Sequence, residues 1–146
     1  MAKDLKDLER FLESLPAKLQ EATELTLQKS ALEIESRIKK QFKTEGEAYG
    51  EEWQPVKDSY LQWKRRKGYS EKTLHRTTTL SQSFSSVIMP FEARIGTEVK
   101  YAIFHELGTR KMPARPFAKP VADKFQEQQI ANKLFISALD TVFRNV

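Results

Sequence analysis

The strongest constraint on this chain is a long run of apolar residues at helical spacing near its start. Leu5, Leu8, Leu12, Leu15 and Leu19 recur every three or four residues, and after a drift in phase Leu27, Ala31, Ile34, Ile38 and Phe42 continue the run. Glu, Lys and Gln fill the other faces. This spacing predicts an amphipathic helical region over residues 4–44. Pro16 interrupts it. Ser14 stands two residues earlier, where it can cap a second helix with Pro16 in its first turn, so a short helix followed by a long one is expected. The stripe packs either on the chain's own core or, in part, against a neighbouring subunit.

The chain has 146 residues, enough for one domain, and is expected to form a single one over 1–146. Its expected parts are a helical region to residue 44, an α+β core over 45–120 and a C-terminal helix over 121–146. Hydrophobic residues make up 39% and charged residues 31%. The apolar share lies below the usual ~45–50%, which implies a lean core and helix standing off the main body. The net charge of +5 and pI of 9.4 favour an acidic partner, either nucleic acid or an acidic protein face. No cysteine is present, which excludes disulfides and thiolate metal sites. The first ten residues lack the apolar core of a signal peptide, and no apolar run is long enough to span a bilayer. The expected location is the cytoplasm, with no membrane contact.

Beyond the helical region, Gly46, Gly50 and Pro55 mark a loop over 43–56. Trp53 is expected to fold back from it onto the core. A short helix should start at Asp58 or Ser59, run through Lys67 and stop at Gly68. It carries Tyr60, Leu61 and Trp63, then Lys64, Arg65, Arg66 and Lys67. Basic residues beside aromatics suit phosphate contact and base stacking. A solvated helix end explains the same run, because cations favour a helix C-terminus. In the Thr- and Ser-rich stretch 74–86, Leu80 and Phe84 are the apolar anchors. Two short strands follow, Val87 to Phe91 and Ala93 to Gly96, broken at Pro90 to Glu92. Val99 to Leu107 reads as a short buried helical element ended by Gly108. Residues 109–116 form a loop, and from Phe117 or Lys119 onward the chain is helical, its apolar face running from Val121 to Phe143. The sum is α+β, with a long N-terminal helical region and a C-terminal helix packed on a small antiparallel sheet.

The residues offer no catalytic set. His75 and His105 fit no metal-ligand spacing, no nucleophile elbow is present, and the five glycines are scattered. Glu45, Glu47, Glu51 and Glu52 fall in the loop and read as a solvated acidic segment, not as rigid, desolvated acids. No catalytic residue, metal or cofactor is expected, and His105 reads as a packing residue.

One stretch carries more than folding requires. From Arg94 the chain reads Arg-Ile-Gly-Thr-Glu-Val-Lys-Tyr-Ala-Ile-Phe-His-Glu-Leu-Gly-Thr-Arg-Lys-Met-Pro-Ala-Arg-Pro-Phe. It resembles the phage virion morphogenesis family, which includes the Mu gpG-like tail completion and head–tail joining proteins. The matching residues are Gly96, Thr97, Tyr101, Ala102, His105, Gly108, Thr109 and Pro113 to Phe117. Upstream, Trp53-Gln54-Pro55-Val56 looks like the family's Trp-x-Pro-Leu segment, and Leu74 to Leu80 like its Leu-x-x-Thr-Gly-x-Leu segment. Thr78 stands where the family usually has glycine, a residue free to take positive φ.

The resemblance implies a non-enzymatic structural role in virion assembly, at the tail end or the head–tail junction. It implies a homo-oligomeric ring, contacts with other phage tail or connector proteins, and a place in the host cytoplasm during assembly and then in the virion. Pro113 and Pro116 stiffen the turn that carries Arg115. Arg115 either pairs with a carboxylate of its own chain or docks a neighbouring subunit, while Phe117 plugs the core. Arg110, Lys111, Arg115 and Phe117 are the candidate subunit contacts. Lys64, Arg65, Arg66 and Lys67 are the candidate contacts to DNA in the lumen or to an acidic partner. A small basic nucleic-acid-binding protein is the alternative.

Overall fold

The computed structural model describes residues 4–144. Its first element, α1 (Leu5–Lys43), is one unbroken helix of 39 residues. Asp4 caps it, its carboxylate accepting a hydrogen bond from the Asp7 N–H at 2.8 Å. Lys40 and Lys43 occupy the last turn, where cations oppose the helix dipole. The break expected at Pro16 is not there. Ser14 caps nothing; its hydroxyl donates to the Phe11 carbonyl at 2.8 Å. A proline inside a helix costs roughly 3 kcal/mol, and residues on both sides of Pro16 meet one ring near the C-terminus. Phe11 lies 6.2 Å from the Phe143 ring, and the Lys18 ammonium lies 5.3 Å from that same ring.

Seven shorter elements follow: α2 (Asp58–Arg66), α3 (Thr79–Gln82), β1 (Ser85–Met89), β2 (Glu92–Gly96), α4 (Ala102–Leu107), α5 (Lys119–Glu127) and α6 (Ile130–Arg144). The fold is α+β. The two strands pair antiparallel from Ser85↔Gly96 to Met89↔Glu92. Only Pro90 and Phe91 stay outside the ladder, so pairing reaches closer to the turn than the sequence suggests. The expected single C-terminal helix is two. Gln129, at φ +52°, breaks the chain between them. The bend lets α5 pack on the end of α1 while α6 runs back along it. Phe11 meets Phe143 at one end of the α1–α6 pair, and Arg37 donates to the Gln128 side chain at 2.9 Å at the other, so the two helices are antiparallel.

Two apolar clusters lie along α1. The larger joins Ile38, Phe42, Trp53, Leu80, Phe84, Ala102, Phe117 and Val121. Phe42 is its centre, with rings of Trp53, Phe84 and Phe117 all within 6.1 Å. The smaller is built on Ala22, Ala138 and Val142, where small side chains let α1 and α6 approach closely. Toward the N-terminus the stripe of α1 is left uncovered: Leu5, Leu8, Leu12 and Leu19 are exposed. The element expected to be buried at 99–107 is also open. Only Ala102 of α4 is buried, while Tyr101, Ile103, Phe104 and Leu107 are exposed, because none of the described elements covers the outer face of this helix.

Thr78 shows how the chain manages without glycine. Its φ of +58° and ψ of 0° are left-handed. A left-handed conformation costs a non-glycine residue roughly 1–2 kcal/mol, and Thr is β-branched as well. The turn is kept because Leu80, two residues on, must enter the core. Thr78→Gly is expected to raise the unfolding free energy by about 0.5–1 kcal/mol after glycine's greater chain entropy is subtracted. Urea denaturation checks this; a loss of stability would show that the side chain matters more than the backbone.

Candidate functional site

The turn from Pro113 to Phe117 is fastened on every side. The Arg115 N–H donates to the His105 carbonyl at 2.7 Å. The Arg115 guanidinium donates through Nε to the Gln54 carbonyl at 2.9 Å and through Nη2 to the Pro55 carbonyl at 3.4 Å. It therefore holds backbone oxygens of the Trp53 loop and no carboxylate. The Pro116 carbonyl accepts the Trp53 indole N–H at 3.0 Å and the Gln41 amide at 3.5 Å. Gln41 also accepts the Tyr49 N–H at 3.0 Å. Gly108 makes the approach possible: at φ +75° it takes a backbone conformation that L side chains rarely adopt, and a Cβ there would lie 2.7 Å from the Ala114 nitrogen.

Glu106 completes the assembly. Its carboxylate accepts the N–H groups of Phe117, Ala118 and Lys119 at 2.8, 3.1 and 2.8 Å. These donors open α5 just before Pro120, which has none, and no side chain of α5 itself caps them. Sequence reading missed both Glu106 and Gln41. Each is a polar residue on a helix with no motif of its own. The partners of each lie in loops that only the fold brings near.

The structure divides the expected site residues. Phe117 faces inward and stacks on Phe42 at 5.0 Å, and Arg115 is 5% exposed. Arg110 and Lys111 are exposed on the turn between Thr109 and Met112. In the basic run of α2, Lys64 also turns inward: it is 1% exposed and its ammonium donates to the Lys72 carbonyl at 2.7 Å. Burial lowers its pKa, with Glu45 and Glu71 opposing. Arg65 pairs with Glu71 at 2.6 Å. Arg66 and Lys67 remain as exposed cations. Helical spacing explains the division, since Trp63 and Lys64 share the inner side of α2. Glu45 is tied down too, accepting the Thr73 N–H at 2.6 Å, whereas Glu47, Glu51 and Glu52 are exposed.

Arg115, Lys64 and His105 line a cavity of about 710 Å³ beside the turn. His75 is satisfied, its Nε2 lying 2.9 Å from the Phe42 carbonyl. His105 is not: its Nδ1 is buried without a hydrogen-bond partner. Burial and the charge of Arg115 hold its pKa below the ordinary 6.5. Among the described residues no group of His, Asp and Glu is arranged to hold a metal ion, and no helix is long and apolar enough to cross a membrane.

The shared turn thus serves the chain's own core, and apolar residues stand on its exposed faces. The phage virion morphogenesis family matches residues 3–136, and the chain belongs to that family. It is similar to the Mu-like prophage FluMu G protein 1 of Haemophilus influenzae, with 33% identity over 86 residues. That match covers 58% of this chain and 59% of the relative, so the aligned part spans about three-fifths of the relative's length. No solved structure matches.

Two outcomes follow. Glu106→Ala should destabilise the protein by about 2 kcal/mol, as expected for a charged cap serving several N–H groups, with Glu106→Gln in between. Equal stability of all three proteins in urea would remove the cap from the account. The lowered pKa of His105 means that the unfolded chain takes up its proton first. Its contribution is therefore complete above 6.5 and is lost as pH falls through 6.5 toward the lower folded value. Between about pH 7.5 and about 5.5 the native protein should lose more stability than His105→Gln; parallel curves would contradict this.

Proposed function

We propose that this chain is a non-enzymatic structural protein of a tailed phage or prophage that acts at the tail end or the head–tail junction by closing into a homo-oligomeric ring. Membership of a virion morphogenesis family supports the assembly role. The observation that carries the ring is the outer face of α4, where Ile103, Phe104 and Leu107 are 57%, 53% and 71% exposed. Three large apolar residues open to water on a six-residue helix favour a protein contact. Arg110 and Lys111 stand on the adjoining turn and supply a charged rim. The bare Leu5, Leu8, Leu12 and Leu19 stripe of α1 is a second apolar surface. Two different surfaces on one chain suit the head-to-tail contacts that generate rings. Other tail or connector proteins are the expected partners.

Nucleic-acid binding is the second reading. Arg66 and Lys67 favour it, but Lys64 is buried and Arg65 is paired. DNA affinity falling steeply with salt would support it.

Light scattering and negative-stain microscopy test the ring. A closed oligomer is expected from the native chain, and Phe104→Glu should yield smaller species with an unchanged circular dichroism spectrum. A strict monomer at high concentration that also binds no tail or connector protein would overturn the proposal.

A further inference from the structure

The cavity beside the proline turn collects positive charge, with Glu45 and Glu71 acting on Lys64 from outside its lining. Lys57, Lys64, Arg76, Lys111 and Arg115 line it, and among the described residues no aspartate or glutamate does. None of these five forms a salt bridge within the described chain. Arg115 at its floor uses Nε and Nη2 on backbone carbonyls, and its Nη1 makes no hydrogen bond to the described chain. His105 also lines the cavity, and its Nδ1 is buried without a hydrogen-bond partner. Lys64 and Arg115 are buried while Lys57, Arg76 and Lys111 are exposed, and such a concentration of like charge attracts anions.

The shape and the walls narrow the kind of anion. A volume of about 710 Å³ falls within the range of ligand pockets and has room for more than one side chain. Tyr60, Tyr101, Leu74, Leu80 and Met112 give it aromatic and aliphatic walls. The phosphates of a duplex lie on a convex cylinder that cannot enter such a hollow. A phosphodiester is flanked by a sugar on each side and does not reach a buried floor. A carboxylate at the end of a side chain does, and a guanidinium suits it well.

We propose that this cavity is a docking site for an acidic segment of a partner protein, with a carboxylate seated at Arg115 and flanking acids met by Lys57, Arg76 and Lys111. The site adjoins the outer face of α4 and shares Lys111 with its rim, but it does not depend on ring closure.

Fluorescence anisotropy of the full chain with a fluorescein-labelled octaglutamate peptide tests it. Saturable binding is expected. Lys111→Glu and Arg76→Glu, both at exposed positions, should each weaken it about tenfold, equivalent to about 1.4 kcal/mol. Lys67→Glu, outside the cavity, should change it by less than about twofold. The His105 ring protons should shift on adding peptide to the native chain. No binding, or equal weakening by all three variants, would overturn the proposal. Tighter binding of labelled octathymidylate than of the peptide would overturn it in favour of single-stranded nucleic acid.

Discussion

The fold depends on the way one carboxylate and one guanidinium fasten a five-residue turn. Glu106 gathers the N–H groups that open α5, and Arg115 reaches the other way to the carbonyls of Gln54 and Pro55. Between them the Pro116 carbonyl receives the indole of Trp53. Phe117, held by these bonds, slides under Phe42 and Phe84. The loop after α1, the short helix α4 and the start of α5 are thereby locked to one another. Buried polar groups of this kind are costly when half satisfied, so the turn is an all-or-none feature.

This arrangement changes the meaning of the motif that first marked the chain. Pro-Ala-Arg-Pro-Phe reads in sequence as a rigid loop offering an arginine to a partner. In the fold, its arginine and phenylalanine serve the chain itself. What it leaves outside is the outer face of α4 and the Arg110–Lys111 turn. A rigid interior therefore presents apolar and basic surfaces at fixed positions, as a protein that assembles with others requires. The family to which the chain belongs is one of virion morphogenesis.

Much of the fold was legible because periodicity reports burial. The Ala31, Ile38 and Phe42 part of the α1 stripe, the anchors Leu80 and Phe84, the inward Trp53 and the hairpin around Pro90 all follow from local pattern, whereas the leucines at the start of α1 are exposed. Pro16 misled because the helix continues through it, with Phe11 and Lys18 on either side both meeting the Phe143 ring. The bend at Gln129 was invisible because Gln has no turn signature, and only packing on α1 demands it. The site was less legible. A run such as Lys64 to Lys67 looks uniform in one dimension, but helical geometry sends Lys64 into the interior and the others out. Glu106 and Gln41 carry no signal at all, since their partners lie in distant loops. Apolar residues on α4 read as core because sequence does not distinguish a buried face from one left exposed.

The central claim is that the 113–119 turn is part of the most stable unit of the protein. Native-state hydrogen exchange measures this most directly. The amides of Arg115, Phe117, Ala118 and Lys119 and the Trp53 indole should exchange as slowly as those of Ile38 to Phe42, and later than those of the first turns of α1. Exchange of the 115–119 amides ahead of Ile38 to Phe42 would show a loop merely resting on the core, and would contradict the account.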